Sequence, residues 1–360
     1  MTRRLVSSVI AILLLCGTIG FAQDKISLLS SYYYTRDLKR HEEMKKETDP
    51  QKLAGLLIEF LKDRPINRLL PYIIPDYQTA ITGLQGKQEW DKAIAMADEM
   101  LAVLPTDAAV KKAIDEGDIT VVEQNVEELM QQLNDARMAM RQANLITYYT
   151  AQNWAKAVEL QEQFYAAAPS LQGVIVLADI YLKMQNFDKY LENAQKIMAE
   201  VPVTQPQGFD AAFMSVQIYT QKQDIAKMTE IYGKLMEAYG DKFPEGLAEA
   251  LWNQHRAIAY TLLAQEPYRG KEYAKAIELF EKVVKADPSN GDAYYYIGMC
   301  KWQTEGQDSA VAPFAKSVVL NKQTAANARQ YLEQIHKAKN SDSLDGLDEI
   351  LAKAKADLGI

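Results

Sequence analysis

The strongest constraint in this 360-residue chain is a spacing that recurs. A slot residue is followed 12 residues later by proline: Ala93 with Pro105, Ala157 with Pro169, Tyr190 with Pro202, and Ala276 with Pro288. Three residues before each slot stands an aromatic (Trp90, Trp154, Phe187, Tyr273), and eight after it a large side chain (Leu101, Tyr165, Met198, Val284). Self-similarity at a fixed spacing marks a repeat architecture and outranks local propensity as a fold signal. The segments 91–104, 155–167 and 274–286 carry apolar residues at i, i+3, i+4 and i+7, the stripe of an amphipathic helix. A small slot lets another helix backbone approach closely, and the proline, unable to continue a helix, marks the next boundary. Upstream lies a second periodic segment, with Leu84, Tyr148, Tyr181 or Tyr219 nine residues before a slot. Short polar turns such as Gln185-Asn186 and Thr304-Glu305-Gly306 join the two, so the unit is an αα-hairpin repeated in series.

The pattern is fullest from Asn253 to Asn321. Ala276 and Ala310 are 34 residues apart, as are Phe280 and Phe314, and Tyr294, Ile297 and Gly298 fall on an early aromatic and a Leu-Gly pair. In these residues the chain resembles the tetratricopeptide repeat (TPR) family. The resemblance implies an all-α fold, a right-handed superhelical solenoid of antiparallel helix pairs. Anchored on the slots, six repeats span 74–107, 138–171, 171–203, 209–242, 257–290 and 291–324. Several copies depart from the pattern. Gly298 alone keeps the glycine, Lys301 replaces the tyrosine, Lys322 replaces the closing proline, and Met228 and Tyr190 replace the small residue. The sequence also predicts a lengthened turn at Pro267–Gly270.

The array, 74–324 with a divergent insert at 108–137, is flanked on both sides. Arg3 and Arg4, the apolar run Leu5 to Leu15, and Gly20-Phe21-Ala22 before Gln23 read as a cleavable export signal over 1–22. Leu13-Leu14-Leu15-Cys16 is similar to a lipoprotein signal, but Leu15 is large where such signals carry a small residue. Cleavage would shift the formal charge from −8 to −10, by loss of Arg3 and Arg4, and leave Cys300 as the one cysteine. Internal disulfides are then impossible, and Cys300 reads as a small buried hydrophobe.

An N-terminal segment, 23–73, opens polar through 48. Asp49 then reads as a helix N-cap with Pro50 at the first helical position, starting a capping hairpin. In the insert, 108–115 ends at Gly117, and a helix beginning at Val121 runs toward the repeat at 138. The C-terminal residues 325–360 predict a helix over 325–339, a polar break at 340–343 and a short amphipathic cap or tether over 344–358. No stretch after residue 22 is long and apolar enough to span a bilayer.

With 48 acidic against 40 basic residues, the composition argues against nucleic acid as a partner. His41, His255 and His336 are isolated, without metal-ligand spacing. Gly83-Leu84-Gln85-Gly86-Lys87 lacks the length and hydroxyl of a phosphate loop, and no nucleophile elbow is present. The generous 13 Met and 20 Tyr sit mostly at helical core spacing. No cofactor and no catalytic group is therefore expected.

What the resemblance offers is a concave groove lined by the first helix of each pair, where family members hold peptides. Carried over position by position, the lining is Gln78, Thr82 and Gln85; Gln142, Ile146 and Tyr149; Ile175, Asp179 and Leu182; Phe213, Gln217 and Thr220; and Tyr295, Met299 and Trp302. Asp179 is its only charge, so the cation set of a carboxylate clamp is missing. The reading is a non-catalytic interaction module, periplasmic or extracellular, with protein or peptide segments as partners. The rival readings are a carrier of a small polar ligand such as a glycan, and an enzyme whose site is assembled from distant helices.

Overall fold

In a computed structural model, the structure describes residues 31–65, 67, 69–116 and 126–360. The export signal over 1–22, Cys16, the residues 23–30, Gly117 and Val121 lie outside the described residues. Those described form helices and no strand. The chain divides into two compact units, Met1–Asn193 and Ala194–Ile360.

In the first unit the helices are α1 (Ser31–Met44), α2 (Pro50–Asp63), α3 (Leu70–Gly86), α4 (Trp90–Val103), α5 (Asp107–Asp115), α6 (Val126–Thr150), α7 (Trp154–Ala167) and α8 (Leu171–Lys183). Helix α9 (Phe187–Glu200) crosses the boundary. The second unit contains α10 (Pro206–Lys222), α11 (Ile225–Tyr239), α12 (Glu249–Arg269), α13 (Tyr273–Ala286), α14 (Gly291–Glu305), a 3₁₀ turn (Gln307–Ala310), α15 (Val311–Leu320), α16 (Ala325–Lys339) and α17 (Leu347–Leu358). Consecutive helices joined by short turns pack on one another, α3 on α4, α6 on α7, α10 on α11, α12 on α13, and α14 on α15, so each unit is built from antiparallel pairs.

One turn recurs between paired helices. Gln88, Gln152, Gln185, Gln223 and Lys271 each adopt a left-handed φ of 56–61°, five residues before Ala93, Ala157, Tyr190, Met228 and Ala276. The next N–H reaches back over the turn: Glu89 to Leu84 (3.0 Å), Asn153 to Tyr148 (2.8 Å), Asn186 to Tyr181 (2.9 Å), Asp224 to Tyr219 (3.0 Å) and Glu272 to Pro267 (2.8 Å). This is the Schellman closure of a helix, and it sets the position nine before the slot at the end of the preceding helix. Asn153, Asn186 and Asp224 then cap the following helix through their side-chain oxygens. A left-handed non-glycine residue costs backbone energy that glycine avoids, offset in part by glycine's greater unfolded freedom. Gln185→Gly is expected to stabilise the chain by up to about 1 kcal/mol. A denaturation midpoint that falls would show that the Gln185 side chain holds more than its turn.

The slots face the core. Ala93, Ala157, Ala276 and Ala310 are fully buried, and the larger Tyr190 and Met228 are buried as well. A Cβ on Gly298 would stand 2.6 Å from the Phe314 ring, so the glycine of the Leu-Gly pair is where the aromatic of the same repeat packs onto helix backbone.

Four expectations meet the structure directly. Asp49 caps α2 by accepting from the Lys52 N–H at 3.0 Å, with Pro50 in the first turn. The insert helix does run on, as α6, through the start of the next repeat to Thr150. The polar stretch before Asp49, to which no element is assigned from the sequence, contains α1. No lengthened turn exists at Pro267–Gly270. Pro267 sits inside the last turn of α12, and the loop uses the common turn with Lys271 at φ 61°. The extra length lies at the other end, where α12 begins at Glu249. The C-terminal helix α17 is docked: Leu347 and Ala354 are buried with Phe314, Ala315 and Leu332, and Ile350 and Leu351 pack beside them.

Candidate functional site

The carried-over residues do not form one class of environment. On α3, Gln78 and Gln85 are half-buried and Thr82 is exposed. The Thr82 hydroxyl donates to the Gln78 carbonyl (2.9 Å), and Gln85 Nε2 donates to Thr147 Oγ1 of α6 (3.2 Å). Gln142 and Ile146 on α6, and Ile175 and Leu182 on α8, are half-buried. Tyr149 and Asp179 are buried and joined, the phenol donating to the carboxylate, with Trp154 edge-on to Tyr149 at 5.2 Å. Burial raises the Asp179 carboxyl above its ordinary range, against the opposing pull of Tyr149 and Lys183. The Tyr149 hydroxyl is also raised, by burial and by its carboxylate partner. This pair is a closed contact within the packing of α6, α7 and α8.

In the second unit, Phe213 is buried, stacked on Phe209 at 5.4 Å and 4.5 Å from the His255 ring, while Gln217 is half-buried and Thr220 exposed. Burial holds the His255 imidazole below its usual range, and its Nδ1 is 2.8 Å from the Tyr232 hydroxyl. Tyr295, Met299 and Trp302 are half-buried against the core under α15 and α16. Trp302 lies 5.4 Å from Tyr331, edge to face, and Tyr295 lies 6.0 Å from Phe314. These three therefore cluster, each with part of its side chain at the surface.

Sequence reasoning missed the surface along α12. A cleft of about 740 Å³ opens between Ile225, Thr229 and Glu230 of α11 and Leu262, Gln265 and Arg269 of α12. A second, of about 640 Å³, is lined by Gln254, Ile258, Thr261 and Leu262 of α12 with Asp287 and Asn290 beyond α13. Leu262 belongs to both. Ile225 is 54% exposed and Ile258 40%, high for side chains of their size. Glu230 is neutralised by Lys227 (2.9 Å) and Lys234 (3.3 Å), which hold its carboxyl below the usual range. The signal for this surface was present. Thr261 and Gln265 stand four and eight residues into the interval 257–290, as Gln78 and Thr82 do in 74–107. The expected turn at Pro267–Gly270 hid them by disrupting the helix that carries them.

A second missed regularity is a lysine just before five of the six slots: Lys92, Lys156, Lys189, Lys227 and Lys275. Each meets a carboxylate, of Glu89, Asp98, Glu192, Glu230 and Glu272 respectively. Such solvated pairs contribute little to stability, and each sets a carboxylate against its lysine. The Cys300 thiol is buried and pushed up to about 11 by desolvation, which keeps it protonated and unreactive at neutral pH. Among the described residues no group of three or more His, Cys, Asp or Glu side chains is placed to hold a metal, and no helix is long and apolar enough to cross a membrane.

No protein-family model and no curated protein matches the sequence. Solved structures are similar to it. MamA (MSR-1) is 20% identical over 52% of this chain and 99% of its own, with a TM-score of 0.30. A tetratricopeptide repeat protein from Parabacteroides merdae is 13% identical over 85% of this chain and 100% of its own, with a TM-score of 0.34. YrrB, a TPR protein with an unusual peptide-binding site, is 14% identical over 53% of this chain and 91% of its own, with a TM-score of 0.32. Scores this low carry no argument about a site, and the fold assignment rests on the helix pairs and their common turn. On that packing, the chain has a TPR-like, all-α fold of antiparallel helix pairs.

Proposed function

We propose that this chain is a non-catalytic interaction module of the cell envelope that holds protein or peptide segments against its helix faces. The observation that carries the reading is the surface along α12, where Ile225 and Ile258 stand largely exposed beside clefts edged by amide and hydroxyl side chains. Apolar side chains exposed at the edge of a concavity, with a few polar groups to fix orientation, suit partner binding better than they suit contact with water. The half-buried Tyr295, Met299 and Trp302 form a second contact surface in the same unit, since aromatic side chains are frequent binding anchors.

The test is selection from a random peptide display library on the full chain, followed by binding of the selected peptides to Ile258→Asp and Ile225→Asp. Selected peptides are expected to carry apolar anchors and to lose about tenfold or more in affinity with each variant, equal to about 1.4 kcal/mol or more. The denaturation midpoints should barely move, because both side chains are exposed. If no peptide is enriched, or if both variants bind as the parent does, the reading fails.

Export belongs to the same proposal and is supported by the charged, apolar and small-residue order of 1–22. Intact mass of the chain isolated from its cells should place the N-terminus at Gln23. A chain beginning at Met1 in the envelope fraction would refute cleavage.

A further inference from the structure

Helix α1 is attached to its unit differently from the helices beneath it. Of its described side chains, 35–44, only Leu38 and Met44 are apolar, and both pack on the core that contains α2 and α3. The other described contacts are polar or ionic. Arg40 Nη1 meets Asp63 Oδ2 at 2.6 Å, and its guanidinium lies over the Phe60 ring, 5.1 Å from the centroid. His41 Nε2 is 2.8 Å from Asp76 Oδ2 on α3, and Lys45 Nζ, just beyond α1, is 3.5 Å from the other oxygen of that carboxylate. Asp37 approaches Arg64 with Oδ1 and Nε 3.9 Å apart.

These attachments give a small return for what they bury. Asp37 is 3% exposed, yet its Oδ1 has no hydrogen-bond partner among the described residues, and 3.9 Å is too long to supply one. A carboxylate taken from water without full compensation opposes docking. Arg40, Asp63 and Lys45 are largely solvated, so their pairs are weak and screened. Beneath them α2 buries Leu57, Phe60 and Leu61 completely, with Ile73 and Tyr77 of α3. The helices below are held by apolar burial, and the described side chains of the helix above them mainly by polar and ionic contacts.

We propose that α1 is a releasable strap, a helix whose described contacts are mainly polar and ionic, that lifts from the α2–α3 face and uncovers the apolar edge around Phe60 while the helices beneath stay folded. Asp76 is its principal latch, because one carboxylate receives both His41 and Lys45. Local opening of this kind is read by amide hydrogen exchange.

The experiment is hydrogen exchange with mass spectrometry on the full chain. Peptides covering 31–44 should exchange well before those covering 50–63 and 70–86. Asp76→Asn should speed exchange of 31–44 by about fivefold or more and leave the other two segments as in the parent. Lys46→Gln, which removes the local pair with Glu43, should change none of the three segments. Raising salt from about 0.02 M to about 0.5 M should also speed exchange of 31–44 in the parent, by screening the exposed pairs. That arm stands if Asp76→Asn fails to fold. Exchange of 31–44 in step with 50–63 and 70–86 overturns the proposal. So does exchange of 31–44 that responds neither to the removal of Asp76 nor to salt.

Discussion

Trp252→Ala should destabilise the Ala194–Ile360 unit by about 3–5 kcal/mol, the largest single effect expected in this chain. Trp252 is fully buried at the start of α12, with ring centroids 5.7 Å from Tyr239 and 6.3 Å from Phe209. Its indole N–H donates to the Lys242 carbonyl at 3.0 Å. Truncation therefore leaves a cavity between α10, α11 and α12 and also strands a loop carbonyl. One turn further along, the nearly buried Arg256 pairs with Asp241, which also receives Lys285 Nζ at 2.6 Å. Together these contacts tie the loop between α11 and α12 to the helices. Chemical denaturation followed by Trp252→Phe separates the two losses. The phenylalanine variant keeps most of the packing and should lose about 1 kcal/mol, the usual net worth of one hydrogen bond. Equal losses in both variants would mean that the hydrogen bond, and not the ring, holds the loop.

The second large effect is expected from the smallest change. A Cβ on Gly208 would stand 2.3 Å from the Pro202 carbonyl oxygen and 2.6 Å from that of Val201, both of them backbone atoms. Backbone cannot rotate away as a side chain can, so Gly208→Ala must displace the 201–202 segment or unwind the first turn of α10. The expected cost is about 3 kcal/mol, the upper end for overpacking. Gly233→Ala in α11 is the matched control. Its Cβ would meet only Leu263 Cδ2 at an ordinary 3.8 Å. There the helix preference for alanine should raise stability by up to about 1 kcal/mol. Opposite signs at the two glycines are expected in denaturation midpoints. The same sign at both would mean that close approach at Gly208 is relieved at little cost.

The surface along α12 shows how far a repeat register can be read from a chain. Ala276, Phe280, Ala310 and Phe314 are all fully buried, so the spacing that placed them was sound. The same register reaches Thr261 and Gln265, but the lengthened turn expected at Pro267–Gly270 interrupts it. Pro267 is nonetheless held within the last turn of α12, and its own carbonyl closes the Schellman turn to Glu272. The carried-over residues Tyr149, Asp179 and Phe213 show the converse. Their repeat positions were legible, but their burial depends on which neighbouring helix leans against them.

Sequence by itself determined the helix pairs, because a small inward slot, an aromatic three before it and a terminating proline are demands of one helix against its partner within about 34 residues. Even the turn between partners is local, set at five of the six slots by a left-handed residue five positions earlier. Only the tertiary structure decided what has no counterpart in the repeat. The charged helix α1 has few apolar positions to mark it, and it exists because α2 and α3 offer Asp63, Asp76 and Phe60 as partners. Trp252 lies outside the 257–290 register and is buried only because the loop after α11 folds back over it. The docking of α17 depends likewise on a face of α15 that its own amphipathic pattern cannot name. Periodicity records that a side chain must be hidden. Which surface hides it is a property of the assembled helices.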